Sequence, residues 1–120
     1  MQFEWVLLSD TKQWEERCSL DINEKGSLTI KVMYHNPSYP PDQDGLFEAY
    51  SSDVETLLEA LRAGKAGATL SVRGGTRAHS AGVGAFSESR FKEGETVHVP
   101  LPKVGDELRN RMIEELASLK

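Results

Sequence analysis

Two stretches of two-residue alternation, joined by four polar or glycine residues, constrain this chain more than any other feature. Over residues 14–22 the even positions Trp14, Cys18, Leu20 and Ile22 are apolar, with Glu16 the exception, while Glu15, Arg17, Ser19 and Asp21 are polar. Over residues 27–35 the even positions Leu28, Ile30, Val32 and Tyr34 repeat the pattern. A period of two belongs to a strand with one buried and one wet face. Asn23, Glu24, Lys25 and Gly26 lie between the two stretches, and Gly26 can take the left-handed conformation that closes a short hairpin loop. Pairing Asn23 with Ser27 sets Ile22 opposite Leu28, Leu20 opposite Ile30 and Cys18 opposite Val32. A slip of one residue would turn these side chains toward water, so the register is strongly specified. Residues 3–8 read as a preceding strand with Phe3, Trp5 and Leu7 on one face.

Residues 36–45 contain Pro37, Pro40 and Pro41, which remove backbone donors and fix the chain direction, so this stretch reads as a long loop. A helix is expected to begin at Ser51 or Ser52. Ser52 and Glu55 have capping-box spacing, and Val54, Leu57, Leu58 and Leu61 form one apolar stripe that stops at Gly64. Residues 68–73 and 96–101 read as strands, with Leu70 and Val72 inward in the first and Val97, Val99 and Leu101 inward in the second. Between them, residues 74–95 are rich in Gly, Ser and Ala; Ala81, Val83 and Ala85 can form one face of a strand. Residues 105–119 close the chain as a helix carrying Leu108, Met112, Ile113, Leu116 and Leu119 on one side, with Glu107 four residues before Arg111. No internal repeat or linker divides residues 1–120, which therefore read as a single domain. The expected class is α+β, a mainly antiparallel sheet with two helices packed on one face. Its core is expected to contain Leu20, Ile22, Leu28, Ile30, Val32, Leu57, Leu58, Leu61, Leu70, Val72, Val97, Val99, Met112 and Leu116.

A chain of 120 residues with 38% hydrophobic and 28% charged content suits one soluble domain, a monomer or small homo-oligomer. Its net charge of −5 disfavours general attraction to nucleic acid or to an anionic membrane, and neither is expected as a partner. The N-terminal stretch lacks a basic leader region, no apolar run approaches the length of a membrane span, and the single cysteine, Cys18, forms no internal disulfide. Cytoplasm is the expected compartment.

Charge is unevenly laid out. Asp42, Asp44, Glu48, Asp53, Glu55 and Glu59 follow one another with no intervening Lys or Arg, whereas residues 62–92 carry Arg62, Lys65, Arg73, Arg77, Arg90 and Lys92 against Glu88 alone. Such polarity steers a partner toward one face. Within the acidic segment Asp42, Asp44, Glu48, Glu55 and Glu59 interleave with Tyr39, Phe47 and Tyr50, an arrangement of aromatic anchors inside a charged rim that suits a protein interface. In the basic segment Arg73, Gly74, Gly75, Thr76, Arg77, Ala78 and His79, with Arg90 beyond, offer an alternative: glycines let backbone amides approach an oxyanion, and the cations neutralise it. The plainer reading of the same stretch is a glycine turn between strands with solvated side chains. His35, His79 and His98 lack zinc-ligand spacing, and no nucleophile has an adjacent base. Neither a metal, a cofactor nor an activity of its own is expected. Cys18, on the inward face of its strand, reads as a small buried hydrophobe.

These features favour a protein-binding module whose partner presents a basic surface. In size, acidity and lack of a catalytic motif the chain is similar to immunity proteins, which neutralise bacterial toxins; the likeness is one of composition and rests on no diagnostic motif. It implies an inhibitor that occludes a toxin or enzyme. A small-anion ligand-binding or enzymatic domain built on Arg73, Arg77 and His79, and a secretion chaperone or adaptor, are the two alternatives.

Overall fold

The computed structural model describes residues 1–8, 15–35, 45–82 and 85–119. Strands β1 (Gln2–Leu8), β2 (Glu15–Ile22) and β3 (Leu28–His35) form an antiparallel meander, with Ile22 opposite Leu28, Leu20 opposite Ile30 and Cys18 opposite Val32. The expected hairpin turn closes it. The Asn23 amide donates to the Ser27 carbonyl at 3.1 Å, the Asn23 side-chain oxygen accepts from the amides of Lys25 and Ser27, and Gly26 has φ of 80°.

The next segment departs from expectation. The loop expected over residues 36–45 gives way at Gly45 to a fourth strand, β4 (Gly45–Ser51), paired with β3; residues 36–44 lie outside the described residues. Phe47 and Ala49 point inward, and so does Ser51, a buried polar group. Its hydroxyl donates to the Ser71 carbonyl at 2.6 Å and accepts from the Asp53 amide at 3.0 Å, which meets the requirement that a buried hydroxyl be paired. Helix α1 (Val54–Arg62) is capped by Asp53 rather than by Ser52, through a 3.4 Å bond from the Thr56 amide. The stripe ends as read: Gly64, just past the helix, has φ of 73°.

Strand β5 (Gly67–Ser71) leaves the sheet, and β6 (Gly74–Gly82) returns beside β4, followed by β7 (Ala85–Arg90). Among the described residues the main sheet has the order β1-β2-β3-β4-β6-β7, every pair antiparallel, and β8 (Thr96–Pro100) pairs with β5 as a separate ladder. The stretch from Gly74 to His79 is therefore part of a paired strand, with Arg73 just before it. Helix α2 (Glu107–Ala117) begins at Asp106, whose carboxylate accepts from the Leu108 amide at 2.9 Å.

The fold is α+β. Inward residues of the sheet such as Phe3, Leu20, Ile30 and Ala49 share one buried cluster with Leu57 and Leu58 of α1, Leu70 and Val99 of the small ladder, and Met112 and Leu116 of α2. Both helices thus cover the same face of the sheet. All of the expected core residues are buried, none more than 5% exposed. The Trp5 indole ties β1 to the end of β8 through a 3.1 Å bond to the Pro100 carbonyl. Arg111 lies over the Phe3 ring, 5.8 Å from its centroid, instead of pairing with Glu107. One charge is buried with α2: Arg109 is 3% exposed and donates to the carbonyls of Ala60, Leu61, Lys65 and Pro102.

Leu58 is 1% exposed in the middle of this layer. Leu58→Ala is expected to lower the unfolding free energy by about 2 to 5 kcal/mol, the range for a truncated buried leucine, as measured by urea titration.

Candidate functional site

Alternation that fills one face of a strand with core residues leaves the other phase outside. On β1 to β4 that outer phase places Val6, Arg17, Met33 and Leu46 directly opposite one another across four strands. Val6 is 54% exposed, Met33 39% and Leu46 41%, so three large apolar side chains stand together in water. The adjacent row holds Glu4, Ser19, Lys31 and Glu48. A hollow of about 420 Å³ opens on this face, lined by Val6, Arg17, Ser19, Lys31, Met33 and Leu46 among others. Its charges are held loosely: Arg17 pairs with Glu15 at 2.9 Å and Lys31 with Glu48 at 3.8 Å. Exposed pairs of this kind contribute roughly 0 to 1 kcal/mol, so a partner can exchange them at little cost. The Tyr50 hydroxyl donates to Glu48 at 3.0 Å, and that bond, reinforced by the carboxylate's charge, raises the phenol's pKa.

The acidic segment does not form one surface. Glu48 and Tyr50 belong to the outer sheet face, whereas Glu55 and Glu59 are exposed on α1, which covers the opposite face. Phe47, expected as an interface anchor, is a core residue: it is 8% exposed and meets Phe91 edge to face, ring centroids 6.1 Å apart. Period-two phase forces this outcome, since Glu48 and Phe47 are neighbours and must point opposite ways. Tyr39, Asp42 and Asp44 lie outside the described residues.

The basic candidates also diverge. Arg73 donates to the Ser27 hydroxyl at 3.2 Å, beside the β2–β3 turn. Arg77 is on the inner side of β6, its guanidinium carbon 4.5 Å from the Phe91 centroid. Arg90 stands opposite Thr76 and so belongs to the outer face. His79 enters the sheet through its backbone, paired with Gly45. Arg73, Arg77 and Arg90 therefore make no common anion cradle. Gly75 has a different reason to be glycine: it sits at φ of 134°, and a Cβ there would collide with the Glu48 carbonyl on β4.

What Arg77 does border is a cleft of about 510 Å³ on the inner side of the sheet, lined by Tyr34, Gly45, Phe47, Phe91, Thr96 and His98 among others. Among the described residues no three His, Cys, Asp or Glu side chains are grouped to hold a metal, and no helix is long and apolar enough to cross a membrane. Sequence reasoning missed the outer apolar row. The signal was Met33, the one large apolar residue on the polar phase of its strand, together with a first strand that is apolar on both phases at Val6, Leu7 and Leu8.

No family model, no curated protein and no solved structure matches this chain.

Cys18 is 3% exposed, and burial, with Glu16 adding to it, pushes its thiol up to about 12. A thiol so shifted is a poor nucleophile at neutral pH. Because the folded pKa is the higher one, this contribution is fully present below the unfolded thiol's value of 9.0 and is lost as pH rises toward 12. Tyr34, raised chiefly by burial, acts with the same sign above pH 10.0. Cys18→Ala is expected to flatten the fall of stability between pH 9 and 11 in denaturant melts, while wild type loses on the order of 1 kcal/mol or more over that interval.

Proposed function

We propose that this chain is a binding module for another protein and that its contact surface is the outer face of the six-stranded sheet, which no described helix covers. The observation that carries the reading is the row Val6, Arg17, Met33 and Leu46, in which three exposed apolar side chains and the stem of Arg17 surround a hollow bordered by Glu4, Lys31 and Glu48. An apolar centre inside a rim of exchangeable charge is the anatomy of a protein interface, and apolar side chains gathered in one exposed patch generally mark a contact surface. Within that reading the module acts as an inhibitor of the immunity type, which covers a toxin or enzyme and does no chemistry itself. The acidic groups Glu4 and Glu48 beside the row suit a partner with basic groups around an apolar patch. Of the acids in the long acidic run, Glu48 has the steering role; Glu55 and Glu59 face away from it.

The test begins with a partner recovered from the native host and then purified. Met33→Glu and Leu46→Glu should each weaken its binding by about thirtyfold or more, the scale of a buried interface anchor, with unchanged melting temperature. Glu48→Gln should chiefly slow association, and joint substitution of Glu55 and Glu59 by Gln should have no effect. Loss of the partner's activity at one-to-one stoichiometry supports the inhibitor reading; a partner that stays active in the complex favours a chaperone or adaptor. Binding that survives Met33→Glu and Leu46→Glu but fails on changing Glu55 and Glu59 would move the interface to α1.

A further inference from the structure

The cleft on the inner side of the sheet is separate from the proposed protein-binding face and has a chemistry of its own. Its floor is the row that crosses the sheet from Tyr34 to Gly45, where the absence of a side chain at Gly45 leaves the backbone of β4 open. Tyr34 stands on one side, and Arg77, stacked on Phe91, on the other. Phe91 is itself held edge-on against Phe47 in the core. Thr96 and His98 of β8 border the remaining side. The Phe91 face supports the guanidinium from one side, and a cation held over a ring keeps its N–H donors for a further partner. Among the described residues Arg77 donates no hydrogen bond and pairs with no carboxylate, although other surface cations, Arg17 and Lys31, do. Among its described lining residues the site thus presents one planar guanidinium fork, aromatic walls and no carboxylate.

We infer that this cleft binds a carboxylate carried on an aromatic body, with Arg77 gripping the carboxylate and the ring lying between Tyr34 and Phe91. A guanidinium matches the two oxygens of a carboxylate in a bidentate pair. Among the described lining residues Arg77 and His98 are the basic side chains, less positive charge than a phosphate dianion would need. Among the described residues no side chain stands on the β4 backbone at Gly45, and the cleft of about 510 Å³ is large enough for a flat ring. The ligand is either a free aromatic acid or the C-terminal residue of a polypeptide, which present the same group.

The full-length chain can be titrated with phenylacetate, with the uncharged phenylacetamide, and with a short peptide ending in phenylalanine, free or amidated. Binding is read from the Arg77 Nε–H and the backbone amides of residues 45–47 by NMR. Saturable binding of a carboxylate probe is expected, and its amide should bind at least about tenfold more weakly, the scale of one charge-assisted contact. Stronger binding of phenylacetate than of the free peptide assigns the site to small acids, and the reverse assigns it to a C terminus. Arg77→Gln should weaken binding by a similar factor. Gly45→Val should abolish it with an unchanged melting temperature, because a Cβ at Gly45 meets nothing nearer than the Ala78 carbonyl at 3.9 Å yet points onto the cleft floor. Arg73→Gln, Arg90→Gln and the outer-face change Met33→Glu should leave it unaltered, which separates this site from the protein-binding reading. Equal binding of acid and amide, retention by Arg77→Gln, displacement of phenylacetate by equimolar inorganic phosphate, or no shift with any probe would each overturn the assignment.

Discussion

The buried guanidinium of Arg109 determines how the second layer of this protein sits on the first. A helix of any sequence ends with carbonyls that have no partner inside it. At the end of α1 the Lys65 and Gly64 amides reach Ala60 and Leu61, and Arg109 adds a second donor to each, binds the Lys65 carbonyl just beyond and joins them to the Pro102 carbonyl before α2. The same four carbonyls are what let the charge be buried, since an unpaired cation inside a protein is far costlier than a paired one. Burial lowers the side chain's pKa, but an arginine stays cationic, and its rigid fork can address several acceptors where a lysine would supply a point charge. The end of α1, the segments at Lys65 and Pro102 and the start of α2 are thereby tied to one another, the shared apolar cluster seats both helices on the inner sheet face, and no described helix covers the outer one.

Sequence pattern read best where several local signals agreed. The β2–β3 hairpin had alternation on both arms and a turn residue between them, and its register follows pair for pair. Helix α1 was legible from its stripe, though its cap moved from Ser52 to Asp53 because Ser51 still belongs to β4 and uses its hydroxyl on Ser71. Strand β4 was hidden: its inward positions are Phe47, Ala49 and Ser51, one large, one small and one polar, and the prolines before it drew the loop reading forward to Gly45. Strand β6 was hidden by its glycines, yet Gly75 is there to let β4 pass close by. Arg109 could have been found, since it lies three and seven residues before Met112 and Leu116 and so shares their buried stripe.

Charge along the chain proved a poor guide to charge on the surface. The long acidic run crosses from the outer sheet face at Glu48 to the far side of α1 at Glu55 and Glu59, and the basic run sends Arg73, Arg77 and Arg90 three ways. A strand reverses direction of display at every residue, so a run of like charges on it is divided between faces. What the fold assembles instead is an apolar row on the open face and a lone stacked arginine in a cleft behind it.

Arg109 holds the helical layer together, and Arg109→Met tests that most directly. Hydrogen exchange and urea unfolding of this variant should show a loss of at least about 3 kcal/mol, the scale of stranding buried carbonyls and removing a multiply bonded cation. Protection should fall first at the end of α1 and in α2, and Arg109→Lys should restore only part of it. A change under about 0.5 kcal/mol, as at an ordinary surface position, or full rescue by lysine, would contradict the account.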